Sequence, residues 1–61
     1  MAERYDLRTL DEAAAKMRVS VRTIQRLIAA RQIRPIRIGR RTLIETREID
    51  AYLSAAYRRS A

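Results

Sequence analysis

The sequence predicts a mainly α fold with one small β-hairpin, in the order α-α-β-β-α. Three patterns lead there. Two short segments with apolar residues at helical spacing each follow a good N-cap residue; the spacing changes to two-residue alternation after Pro35; and helical spacing returns after Thr46. At 61 residues the chain has room for one domain, 1–61, with an ordered core expected at about 9–56.

Residues 1–8 are mixed and polar, a lead-in expected to tuck Tyr5 or Leu7 onto the core. Thr9-Leu10-Asp11-Glu12 reads as a capping box, with the acids in the first turn favoured by the helix dipole. Leu10, Ala13, Ala14 and Met17 then give a first helix over about 10–17. Arg18-Val19-Ser20 is a tight connection without the glycine usual there, and Ser20 can cap the next helix. That helix begins at Val21 and carries Ile24, Leu27 and Ile28 on its buried side. Its end is expected near Gln32, because Pro35 disfavours a helical Arg34. Two short helices joined by about three residues define a helix-turn-helix. Ile36-Arg37-Ile38, a turn at Gly39-Arg40-Arg41, and Thr42-Leu43-Ile44 form the hairpin, with Arg37 expected on its outer face. A two-stranded ribbon is unstable alone, so it must lie on the helices as a wing. Thr46 is expected to cap a third helix over about 47–58, packing Ile49, Tyr52, Leu53 and Ala56, with a frayed Tyr57–Ala61 end.

Composition excludes several functions. Without cysteine or histidine the chain lacks thiolate zinc sites, disulfides and the commonest general base, and its acids are scattered. A single glycine rules out a glycine-rich phosphate loop. No enzyme, cofactor, metal or small-molecule ligand is expected. The start has no apolar signal core and no segment approaches membrane-spanning length, which reads as a soluble cytoplasmic protein without a membrane partner.

The formal net charge is +7, and every cation except Lys16 is arginine. From Ala13 to Ile44 there is no acid at all; Glu3, Asp6, Asp11, Glu12, Glu45, Glu48 and Asp50 lie outside. A segregated cationic block suits a polyanion, and guanidinium forks suit phosphate and guanine. On the second helix, Arg22 and Arg26 fall opposite the apolar stripe, Gln25 and Thr23 flank them, and Ala29 leaves room for close approach. Ser20 and the helix N-terminus can hold a phosphate, with Arg18 as clamp, although capping alone also accounts for Ser20. Arg40 and Arg41 at the hairpin tip suit a minor groove, and Arg34 and Arg37 are secondary phosphate contacts. The double-stranded DNA expected as partner would place the chain at its host's nucleoid.

Leu10-Asp11-Glu12-Ala13-Ala14, the string Val19 to Ile28, Ile36 to Arg41 and Thr46 to Leu53 together resemble small excisionase and MerR-like winged helix-turn-helix domains. Tyr52 stands where such domains often carry tryptophan. The resemblance covers about residues 9–54. It implies a recognition helix, 20–32, in the major groove and a wing, 36–44, in the minor groove. Arg22, Thr23 and Arg26 carry over as helix contacts, and Arg40 and Arg41 as wing contacts. MerR-type regulators add a long dimerisation helix and an effector domain, and this sequence has neither. A domain of this length is therefore more similar to a phage excisionase, a recombination directionality factor that bends DNA and helps integrase in prophage excision. That similarity implies integrase and adjacent head-to-tail copies as partners; with no heptad seam in the sequence, a monomer in solution that cooperates only on DNA is expected. Two other readings stay open: a small MerR-like transcriptional regulator using the same surface, and a basic module that binds an acidic protein.

Overall fold

A computed structural model describes residues 5–60. The elements run β1 (Leu7–Thr9), α1 (Leu10–Met17), α2 (Val21–Ala29), β2 (Pro35–Ile38), β3 (Arg41–Glu45) and α3 (Thr46–Ser60). Three helices and a three-stranded antiparallel sheet, ordered β1-β3-β2, make a winged helix-turn-helix. The hairpin is the expected wing. The lead-in, by contrast, supplies a strand: Leu7, Arg8 and Thr9 pair with Glu45, Ile44 and Leu43, and the Thr46 amide donates to the Asp6 carbonyl at 2.8 Å. Leu7 is half-buried, whereas Tyr5 is 59 % exposed and not tucked against the core. Residues 1–4 of the lead-in, and Ala61, lie outside the described residues.

The capping box at Thr9 forms in both directions: the Glu12 amide donates to Thr9 Oγ1 at 3.1 Å, and the Thr9 amide donates to Glu12 Oε1 at 2.9 Å. Both helices of the helix-turn-helix end in the same way. At the end of α1, Arg18 adopts the left-handed conformation (φ 59°), its amide donates to the Ala15 carbonyl, and the Val19 amide donates to the Ala14 carbonyl. At the end of α2, Arg31 (φ 61°) donates to the Ile28 carbonyl and Gln32 to the Leu27 carbonyl. These are Schellman closures, with arginine where glycine is the usual choice. The second one corrects the expected helix end near Gln32: α2 stops at Ala29 because the chain reverses at Arg31, well before Pro35 acts. Pro35 instead opens an edge strand, where its missing N–H costs no ladder bond.

The core is small and aliphatic. Ile24, Ile33, Ile44 and Ile49 are essentially inaccessible and surround Ala13 and Ala14, whose small side chains let the helices approach. Leu10, Met17, Val21, Leu27, Ile28 and Tyr52 pack around this centre. Tyr52 thus has the packing role expected of it. Leu53 does not: it is 39 % exposed, and α3 remains helical through Ser60, so the expected frayed end is corrected as far as Ser60. There the Ser60 hydroxyl donates to the Ala56 carbonyl.

Candidate nucleic-acid interface

Helix α2 is held by a side-chain cap. Ser20 Oγ accepts the Thr23 amide at 3.1 Å and lies 3.1 Å from Thr23 Oγ1. One of the helix-terminal donors expected to face a phosphate is therefore taken by Ser20 itself. Thr23 is half-buried and engaged with that cap, so the structure sets it apart from the other candidate contacts. Gln25, Ala29, Arg22 and Arg26 are all exposed and follow one another around α2 within an arc of about 100°, turning away from buried Ile24.

The hairpin register decides which wing residues join them. Pro35 pairs with Ile44, Ile36 with Leu43, Arg37 with Thr42 and Ile38 with Arg41. Directly opposed residues of an antiparallel pair share a face. Arg37 and Thr42 therefore lie on the face of buried Ile44, which is the side toward the helices. This corrects the expected outward Arg37. The alternation Ile-Arg-Ile is real, but the apolar members face away from the helices: Ile38 is 54 % exposed, and Ile36 and Leu43 are half-buried. Arg37 and Thr42 line one open groove with Gln25, Ile28 and Ala29 of α2 and with Leu10. The exposed arc of α2 and the inner face of the wing thus open onto a common groove.

The remaining candidates lie outside the groove lining. Gly39 has φ +59° and Arg40 does not, the pattern of a II′ hairpin turn, so the turn is Gly39-Arg40 and Arg41 already belongs to β3. Arg40 and Arg41 are exposed at this tip. Arg18 is exposed at the α1–α2 turn, beside the N-terminal end of α2. Arg34 lies apart, lining a separate hollow with Ile28, Arg31, Ile33 and Pro35. Its backbone amide donates to Glu48 Oε1 at 3.0 Å, which ties the approach to the wing to the first turn of α3. Glu48 is one of the scattered acids in the sequence, and a contact spanning fourteen residues leaves no periodic signal. Thr42 was missed as a groove residue because only the pairing register reveals its side.

Among the described residues, no acid forms an ion pair with an arginine of this surface. Among the described residues the ion pairs are Arg8–Asp6 at 3.6 Å and Arg47–Glu45 at 2.9 Å, both outside the cationic block. No group of three or more His, Cys, Asp or Glu among them is placed to hold a metal, and no helix among them is long and apolar enough to cross a membrane.

A helix-turn-helix whose second helix and wing open onto one groove, with exposed arginines on the helix, in the groove and at the wing tip, defines a DNA-binding protein of the winged class. The family model described as a helix-turn-helix domain matches residues 9–57. The chain belongs to this family, a DNA-binding family that includes excisionase-like proteins and is not an enzyme family. No curated protein and no solved structure matches the chain.

Proposed function

We propose that the chain is an excisionase-type recombination directionality factor, which binds and bends DNA beside an attachment site and assists integrase in prophage excision. The single observation that carries the DNA-contact part of this reading is the common groove between α2 and the wing. A helix entering the major groove with Arg22, Gln25 and Arg26 brings Arg37 onto the adjoining backbone, while Arg40 and Arg41 extend toward the neighbouring minor groove. Arg18 before α2 and Arg34 at the approach to the wing would add phosphate contacts. Ser20 supports the helix through its cap, and Thr23 is held beside it.

The excisionase role rests on family membership together with a compact basic winged fold. Its test is a recombination assay with a phage integrase and its paired attachment sites, run with and without the chain. Excision should rise and integration should fall. Unchanged excision, with duplex binding intact, would overturn the role; a response confined to a promoter reporter would reassign the chain as a small regulator.

A further inference from the structure

Helix α3 carries a second stripe, centred more than a third of a turn away from the one that packs Ile49 and Tyr52. Asp50, Leu53, Ser54, Tyr57 and Arg58 line one shallow surface along it. Leu53 is 39 % exposed and Tyr57 is 78 % exposed, the most exposed of the large apolar and aromatic side chains described. Neither Asp50 nor Arg58 has an ion-pair partner among the described residues, and eight positions apart on one helix, about 12 Å, they cannot reach each other.

We propose that this stripe is an isologous contact, covered by the same stripe of a second copy of this chain with the two α3 helices antiparallel. The stripe is self-complementary. Reversing it brings Asp50 of one copy to Arg58 of the other, twice, and brings Leu53 against Tyr57, twice. The midpoints of these pairs fall at residues 54 and 55, about 1.5 Å apart along the axis, so a single dyad serves both. Ser54 lies at that dyad and is small enough to let the helices approach. A parallel arrangement would instead oppose like charges at both ends. The contact is a few side chains wide, smaller than a standard stable interface, so the dimer is weak and concentration-dependent. It would set two copies in inverted orientation, unlike the head-to-tail order implied by the excisionase resemblance, and it does not rest on the DNA-binding reading.

Sedimentation equilibrium of the full chain between about 10 µM and 1 mM tests it. The average mass should rise from one chain toward two. Salt is an ambiguous probe, because it screens the ion pairs and also the mutual repulsion of two +7 chains. A charge exchange at constant net charge is not ambiguous. Asp50→Arg and Arg58→Asp should each weaken association at least tenfold, and the double variant should return to within about threefold of the parent. Tyr57→Ser should weaken it without altering charge. All these positions are exposed, and circular dichroism verifies the fold of each variant. A parent that stays monomeric to 1 mM, or a double variant no better than the singles, overturns the proposal.

Discussion

Arg26→Ala separates folding from recognition, and the structure sets both magnitudes. Arg26 is exposed on α2 and takes no part in either ion pair among the described residues. Alanine gains about 0.2 kcal/mol of helix propensity. Against that, a cation is lost from the last turn, where the helix dipole favours one by about 0.3–1 kcal/mol. The net loss should stay below about 0.8 kcal/mol, a melting-temperature change of no more than about 6 °C for a chain of this size. If Arg26 reads a base, its removal should cost about 1–3 kcal/mol on the preferred duplex, about 5- to 150-fold in Kd. The assay is fluorescence anisotropy on a duplex selected from a random library and on an unselected one, at several salt concentrations, beside a thermal melt. Base reading predicts a large loss on the selected duplex and a small one on the unselected. Equal losses on both, with the salt slope reduced by about 0.9, would make Arg26 a phosphate contact. No loss on either duplex would refute the placement of α2 against DNA.

Three further outcomes are expected. Arg40→Ala should weaken binding more on A/T-rich than on G/C-rich flanks in the same anisotropy assay, and equal losses would remove the wing from the minor groove. Arg18→Gly should raise the unfolding free energy by about 1 kcal/mol, because glycine adopts the left-handed turn without strain, while DNA affinity falls similarly on every sequence. A melt that moves down instead would show that the Arg18 side chain supports the turn. Ile33→Ala should cost about 2–5 kcal/mol in urea unfolding, since Ile33 is essentially inaccessible. That is a large part of the roughly 3–9 kcal/mol expected for 61 residues.

What could be read from the sequence was whatever repeats at helical spacing or follows a cap. Thr9 with Glu12 and Ser20 before Val21 located both helix starts, since a hydroxyl that can accept an N2 or N3 amide is a local feature. The helix ends were harder. Arginine is an uncommon residue at left-handed turns, so nothing in Arg18 or Arg31 announces a stop, and Pro35 drew the expected end of α2 too far. β1 was missed because Leu7-Arg8-Thr9 is three residues long and alternates only once; its strand character comes from pairing with β3. The wing was legible as a hairpin yet not in its facing. Alternation separates two sides without saying which is inner, and the isoleucines invited the wrong choice. The register places Ile44 in the core and thereby turns Arg37 inward.

The two left-handed arginines, Arg18 and Arg31, show one bias. At Arg18 and Arg31 glycine would close the helix at less cost, by about 1 kcal/mol each. The fold gives up stability at each place and keeps positive charge. On the proposed reading this is compensated by the ligand. DNA at a hundred times its Kd stabilises a bound fold by about 2.7 kcal/mol, more than the two turns cost together. A domain with so small an aliphatic core is therefore at its most stable on the duplex, where the charges that weaken it alone find their counterions.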